Sequence, residues 1–221
     1  MNRNPIILNS SVQDSTMKGA VDEEIIKQNR VNFLAKHKLK IQKSCLVAMS
    51  YNREDYCRYR AVSDIDGGEG MVRSGGINDS LFTTSKGISL FLPLADCIGA
   101  VMYDTKNDIL GLAHLGRHNL EQYGGKINIE FMQKEYRSKP QDITVFLSAA
   151  AGKYAYPLFS FDNKSLHEVA IEQLQLAGVL KKNITVDSRD TTIDDELFSH
   201  SNYLKGVQNI DGRHAVVTYL V

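Results

Sequence analysis

Two residues with reactive side chains lie at the ends of predicted strands near the centre of the chain. Cys97 lies between the apolar runs 88–94 and 98–103, and His114 follows the next apolar run. A polar turn separates the run 98–103 from the run 109–113 and predicts a hairpin. The hairpin would bring the Cys97 sulfur and a His114 ring nitrogen to one edge of the sheet, within about 5 Å of each other. A thiol and an imidazole there could bind zinc or copper, or form a nucleophile pair. The spacing alone favours a cysteine packed in the core.

The composition is typical of one soluble globular domain that spans residues 1–221. Lys plus Arg and Asp plus Glu each number 26, and hydrophobic residues make up 43%. The net charge of zero argues against nucleic acid or an anionic membrane as a partner, and no apolar run is long enough to span a bilayer. The three cysteines, Cys45, Cys57 and Cys97, are few and widely spaced, which favours a reducing, cytoplasmic location over a disulfide framework.

Hydrophobic patterning predicts strands mixed with helices. A helix over residues 22–38 would carry Val21, Ile25, Phe33 and Leu34 on or beside one face, with Asn29 needing a polar partner there. Further strands are predicted at 45–49, 88–94, 98–103, 109–113, 143–147, 184–186 and 215–221, and further helices at 120–136 and 165–178. This order lacks strict alternation and predicts an α/β (α+β) fold, with mixed sheets between outer helices.

Several short motifs together resemble one family. Ala95-Asp96-Cys97, seventeen residues before His114-Leu115-Gly116, is similar to the core of the laccase-domain proteins. These are also called multicopper polyphenol oxidoreductases or metal-dependent purine nucleoside phosphorylases. Other segments resemble family motifs in the same chain order: Gln28-Asn29-Arg30, Gly68-Glu69-Gly70, residues 78–83, Phe198-Ser199-His200 and Gly212-Arg213. The resemblance therefore covers most of the chain.

The resemblance implies a laccase-domain fold with a zinc or copper ion held by one cysteine and two histidines. Cys97 and His114 match two of these ligands. The activities it implies are phosphorolysis of adenosine, inosine and methylthioadenosine, deamination of adenosine, and a laccase-type oxidation of phenols. The substrates would be small molecules, namely a purine nucleoside and phosphate. No oligomeric state is implied.

The chain departs from the family pattern at the third ligand. The missing histidine should fall within residues 51–55, where the ligand position is occupied by Asn52 or Arg53. Arginine does not deprotonate in proteins and so cannot bind a metal. His118 and Cys57 are the candidates to complete the site. Without one of them, we expect weak or absent activity in the isolated protein.

The resemblance also implies a cationic mouth around the site. Arg53, Arg117 and Arg213 would lie there and could bind phosphate through bidentate hydrogen bonds. His200 would border the same pocket and contact the substrate. Two alternatives to an enzyme of this family stay open on sequence. One is a non-catalytic ligand-binding protein that has lost its metal, and the other is a thiol enzyme with Cys97 as nucleophile and His114 as base.

Overall fold

The computed structural model describes residues 4–19, 21–51 and 54–221, and within them the chain forms ten strands and five α-helices. The strands are β1 Ile6–Asn9, β2 Ser44–Leu46, β3 Tyr59–Ala61, β4 Ser80–Thr83, β5 Ser89–Leu94, β6 Ile98–Asp104, β7 Ile109–Leu115, β8 Ile143–Leu147, β9 Ile184–Val186 and β10 His214–Tyr219. The helices are α1 Glu23–Lys36, α2 Arg117–Glu121, α3 Gly124–Tyr136, α4 Leu166–Leu176 and α5 His200–Leu204.

The strands form two mixed sheets. The smaller sheet has the order β1-β10-β5-β2, and the larger has the order β3-β4-β7-β6-β8-β9. Three pairs are parallel, namely β2 with β5, β3 with β4 and β8 with β9, and the others are antiparallel. The chain passes from the small sheet to the large one between β5 and β6. This crossing contains Cys97.

The two sheets face each other, and helices cover their outer faces. Leu92 and Leu94 of β5 pack with Val101 of β6 and Leu112 of β7 between the sheets. On the far side of the small sheet, Phe33 and Leu34 of α1 pack on Phe91 and Val217. On the far side of the large sheet, α2, α3 and α4 bury apolar residues that include Leu120, Met132 and Val169. The predicted arrangement of mixed sheets between outer helices, in one domain, is confirmed.

Capping residues explain where two helices begin. The Asp22 carboxylate accepts a hydrogen bond from Glu24 N at 2.8 Å at the start of α1. Ser165 and Glu168 form the predicted capping box at the start of α4, and this helix ends before Gly178. Asn29 on α1 finds its polar partner in the carbonyl of Thr16, at 2.9 Å.

The structure corrects three details of the sequence prediction. Ile25 is 54% exposed, and the buried face of α1 carries Ile26 and Arg30 instead, together with Phe33 and Leu34. The single helix predicted over 120–136 is two helices, because Tyr123 between them adopts a left-handed backbone with a φ of 59°. Residue 124 is glycine, since a Cβ there would lie 2.7 Å from the carbonyl of Asn119. The short strands β1 and β3 were not predicted, because runs of four and three residues are too short to show a periodic pattern. Among the described residues, no helix is both long and apolar enough to cross a membrane.

Candidate functional site

The crossing between the sheets brings Cys97 next to His114. His114 is paired with Gly99 across the β6–β7 hairpin, and Cys97 directly precedes β6. Cys97 and His114 therefore lie at the same end of the large sheet. A Cβ on Gly116 would lie 2.8 Å from Cys97 Sγ and 3.2 Å from His114 Nε2. A side chain at position 116 would collide with both groups, so Gly116 is what allows Cys97 and His114 to lie this close together. Cys97 and His114 line one cavity, whereas their predicted separation of about 5 Å and their catalytic and metal-binding roles stay predictions.

Cys97 and His114 open into a cavity of about 480 Å³. The cavity lies between the edge of the large sheet, the segment before α1, and the start of α5. Its lining comes from all parts of the chain and comprises Lys18, Gly19, Met49, Tyr51, Pro93, Leu94, Ala95, Asp96, Cys97, His114, Gly116, Arg117, His118, Asn119, Tyr156, His200 and Arg213. This volume falls within the range of small-molecule sites.

The backbone before Cys97 is held by Asp96. This buried residue has the left-handed φ of 69°, which asparagine and aspartate tolerate better than most residues. Its Oδ1 accepts a hydrogen bond from Thr191 Oγ1 at 2.8 Å, and its Oδ2 accepts two from Ser201, each at 2.7 Å. Its carbonyl accepts one from Ala151 N at 2.8 Å. Four hydrogen bonds thus fix the turn that positions the thiol.

Burial favours the neutral forms of both side chains. Burial, together with the nearby Asp96 carboxylate, raises the pKa of the Cys97 thiol to about 12. Burial and the charge of Lys18 lower the pKa of His114 to about 3. Asn119 hydrogen-bonds the His114 side chain, and Tyr51 lies edge-on to the ring with centroids 6.3 Å apart. At neutral pH the pair is a thiol and an uncharged imidazole.

Three cationic side chains line the cavity. Within the described part of the chain, neither Lys18 nor Arg117 has an ion-pair partner, while Arg213 pairs with Asp211 at 2.5 Å. Burial, Arg213 and Arg30 lower the pKa of Lys18 from its usual value. Lys18 is half-buried and Arg117 is exposed, so both unpaired charges are open to a ligand in the cavity, and an anion is the ligand that such cations bind.

Two segments distant in sequence hold Lys18 and Arg213 side by side. The Thr16 hydroxyl donates to the carbonyl of Lys18 at 2.5 Å and accepts from Arg213 N at 2.9 Å. Met17 N donates to the carbonyl of Arg213 at 2.8 Å. From α1, the buried Arg30 donates to the carbonyl of Met17 at 2.9 Å. The backbones of Lys18 and Arg213 are therefore fixed side by side in the cavity wall.

His200 lines the cavity at the start of α5. Its Nδ1 lies 2.8 Å from Asp211 Oδ1, the same carboxylate oxygen that pairs with Arg213. Arg213 and His200 hydrogen-bond the Asp211 carboxylate and lower its pKa, outweighing the effect of burial. The imidazole is thus oriented by a carboxylate that stays ionised at neutral pH.

The segment that should carry the third metal ligand is attached to α2. Tyr56 N donates to Gln122 Oε1 at 2.8 Å, and the Asn119 amide donates to the carbonyl of Tyr56. The ring of His118 stacks on Tyr56, with centroids 4.7 Å apart, and lines the cavity. Cys57 lies outside the cavity lining, where its Sγ contacts the carbonyl oxygens of Asn119 and Gln122 at 3.7 and 3.8 Å.

Asn52 and Arg53 lie outside the described residues. Both the ligand position assigned to them and the phosphate-binding role assigned to Arg53 therefore stay predictions. The predicted cavity positions of Arg117, Arg213 and His200 are observed, and their roles in binding substrate remain to be tested.

Among the described residues, the donor set falls short of what a resident catalytic metal needs. Catalytic zinc sites use three protein ligands, and Cys97 with His114 supplies two. Across residues 4–19, 21–51 and 54–221, no group of three His, Cys, Asp or Glu side chains could hold a metal ion. His118 and Cys57 thus do not complete a metal-binding group in this arrangement.

The sequence matches the model of a known protein family. Residues 13–165 match the family described as multi-copper polyphenol oxidoreductase laccase, a match that covers more than half of the chain. The protein therefore belongs to this family. Family membership is consistent with an enzymatic role. No sequence among the curated proteins matches the chain.

Solved structures share the fold. The hypothetical protein YfiH of Bacillus licheniformis superposes with a TM-score of 0.82 at 21% identity, over 93% of this chain and 85% of that one. YlmD of Geobacillus stearothermophilus gives a TM-score of 0.82 at 20% identity, over 99% and 92% of the two chains. A protein from Neisseria meningitidis gives 0.71 at 15% identity, over 99% and 91%. At these identities the likeness establishes the fold.

Sequence reasoning missed several residues of the site. Lys18 carries no local signal, because its neighbour Arg213 is far away in the sequence. Asp211 could have been noticed, since it directly precedes Gly212-Arg213 and is charged. The buried ion pair of Arg58 with Asp79, at 2.8 Å, was also missed. It holds β4 beside the segment that leads to the cavity.

Proposed function

We propose that this protein is a purine nucleoside phosphorylase of the laccase-domain family. The observation that carries the proposal is the unpaired charge of Lys18 and Arg117, beside Arg213, in the cavity of Cys97 and His114. A nucleoside is uncharged, so unpaired cations in its site favour a second, anionic substrate, and phosphate is the anion that a phosphorylase uses. The cavity volume of about 480 Å³ suits both ligands together.

The residues of the cavity suggest how the reaction would proceed. Lys18, Arg117 and Arg213 would bind phosphate and orient one oxygen towards C1′ of the nucleoside. As the bond from C1′ to N9 breaks, a phosphate held in place would stabilise the positive charge that develops on the ribose. The rings of Tyr51 and Tyr156 offer faces on which the purine could stack. The neutral His114 and Cys97 would hydrogen-bond the substrate.

The alternative functions are less well supported by the residues of the site. Deamination of adenosine consumes water rather than phosphate, so it does not account for the unpaired cations. A thiol enzyme needs a reactive thiolate, yet the pKa of Cys97 is raised to about 12. A non-catalytic binding protein would share the cavity and would differ only in the absence of turnover.

The test measures release of free base from adenosine, inosine and methylthioadenosine, with and without phosphate. We expect slow release that depends on phosphate, together with formation of ribose 1-phosphate. Arg117→Gln should reduce the rate about tenfold or more at low phosphate, since it removes one charged contact. Lys134→Gln, a matched loss of charge on the exposed face of α3, should not change it.

Further variants separate the alternatives. Cys97→Ala should abolish the activity. His37 packs on Phe33 outside the cavity lining, so His37→Ala should leave the activity unchanged. Release of inosine from adenosine without phosphate would favour a deaminase. Binding of nucleoside and phosphate with no product would favour the binding protein. Robust turnover by Cys97→Ala would show that the chemistry takes place elsewhere.

A further inference from the structure

The pairing of His200 with Asp211 is an arrangement typical of proton transfer. A carboxylate 2.8 Å from Nδ1 holds that nitrogen as the N–H donor, which leaves Nε2 as the site of proton exchange. Within the described part of the chain, Nε2 has no hydrogen-bond partner. The ring lines the cavity, so Nε2 is available to a bound ligand.

The position of His200 is fixed relative to Cys97. Ser201, the next residue after His200, donates two hydrogen bonds to the carboxylate of Asp96, the residue before Cys97. Ser199, the preceding residue, caps α5 through a hydrogen bond from Asn202 N at 3.1 Å. His200 is therefore held on both sides, on a part of the cavity wall supplied by a different segment from the one that carries His114.

His118 is the other partly exposed histidine of the cavity, and its geometry is poorer. Its Nδ1 lies 3.4 Å from Glu121 Oε2, longer than an ordinary hydrogen bond, and its ring is stacked on Tyr56. His118 therefore lacks the short carboxylate contact that fixes the tautomer of His200.

We propose that His200 donates the proton to the departing purine, with Asp211 as the residue that positions its imidazole. This inference rests on the proposed phosphorolysis and adds the proton path to it. A purine anion is a poor leaving group, and protonation of a ring nitrogen as the C1′–N9 bond breaks lowers that barrier.

The atoms and charges balance as follows in each turnover. An oxygen of HPO4²⁻ forms the new bond to C1′, and the electron pair of the C1′–N9 bond moves to the purine. His200 starts as the imidazolium, with its Nδ1–H held by Asp211, and its Nε2 proton passes to a purine nitrogen, which yields the neutral base and a neutral imidazole. His200 then regains a proton originally carried by the phosphate, directly or through water. The products are ribose 1-phosphate dianion and neutral purine, with no external oxidant or reductant.

Leaving-group dependence tests the proposal. The substrates are inosine and 4-nitrophenyl β-D-riboside, whose phenolate leaves without protonation, each with phosphate. His200→Gln should lower kcat for inosine by about 100-fold or more and leave kcat for the nitrophenyl riboside within about threefold. Asp211→Asn should lower kcat for inosine less than His200→Gln does, with the nitrophenyl riboside again less affected. His37→Gln is the matched control and should change neither rate.

The opposite results would overturn the proposal. An equal loss on both substrates would assign His200 to binding, and an unchanged rate with inosine would remove it from the reaction. Because His200 and Asp211 are partly exposed, thermal unfolding of each variant should stay close to that of the wild type, which confirms that folding is not the cause.

A second measurement separates this inference from the proposed function. If the wild-type protein turns over neither substrate, the proposed function fails, and the proton-transfer geometry is judged by ¹⁵N NMR of the histidine side chains. We expect His200 to carry its proton on Nδ1 in the neutral form, with an Nε2 resonance that shifts when hypoxanthine is added. The absence of that shift, or the opposite tautomer, would overturn the assignment.

Discussion

Ser201 donates two hydrogen bonds to a single oxygen of Asp96, one from its backbone N–H and one from its hydroxyl, each 2.7 Å long. The two residues are 105 positions apart, and each is the neighbour of a cavity residue, His200 in one case and Cys97 in the other. This contact sets the distance between two walls of the cavity. It makes Asp96 a residue on which both stability and activity should depend.

Asp96→Ala should lower the free energy of unfolding by about 2–4 kcal/mol, because it leaves buried donors on Thr191 and Ser201 without an acceptor. Asp96→Asn keeps an acceptor and tolerates the left-handed backbone, so its loss should be smaller. Chemical denaturation measures both. Asp195→Ala, at an exposed aspartate near α5, is the control. Equal stability of Asp96→Ala and wild type would contradict the role given to this turn.

Gly116→Ala should impair the site without unfolding the protein. The backbone of Gly116 has a φ of −98°, which alanine adopts without strain, but the added Cβ would lie 2.8 Å from Cys97 Sγ. The two reactive side chains must move apart, and we expect activity to fall at least about tenfold at a stability cost of about 1–3 kcal/mol. Gly76→Ala is the matched control, since its nearest contact is 3.8 Å. A fully active Gly116→Ala protein would show that the close approach is unimportant.

Lys18→Met should stabilise the protein and weaken phosphate binding. The pKa of Lys18 is lowered in the folded state, so folding disfavours its charged form below that pKa. The penalty disappears above the unfolded value of 10.5, where both states are neutral. The gain in the free energy of unfolding from Lys18→Met should be present at pH 7 and should shrink as the pH approaches 10.

Unfolding curves at the two pH values and a phosphate titration measure these effects. Phosphate affinity should fall about fivefold or more at pH 7. Lys134→Met, on the exposed face of α3, should alter neither quantity. A stability gain that is the same at both pH values would indicate better apolar packing rather than relief of a buried charge.

Arg53→His or Asn52→His should increase zinc affinity if the family alignment of this segment is right. A third ligand converts the pair of Cys97 and His114 into a donor set of the usual size, and we expect a gain of about tenfold or more by calorimetry. The same change combined with Cys97→Ala should show no such gain. If neither position raises the affinity, the lost-ligand explanation fails.

The predictable parts of the fold were those with local signals. The strands that became β8 and β9 and the capping box of α4 were located correctly, because apolar runs and capping residues act over a few positions. The site was predictable where a hairpin enforces proximity, as with Cys97 and His114. The contact of Lys18 with Arg213 could not be predicted, since tertiary packing alone brings these two distant segments together. The contact of Asp211 with His200 could not be predicted either, because no periodic pattern encodes it.

The position of β10 in the small sheet has a consequence for the order of folding. Because β10 lies between β1 and β5, β1 has no partner in its sheet until residues 214–219 have been synthesised. The segment that carries Lys18 follows β1, and Arg213 directly precedes β10. The hairpin of β6 and β7, by contrast, can form as soon as residue 115 is available. We therefore expect the anion-binding half of the cavity to form late, after the thiol and imidazole have already been brought together.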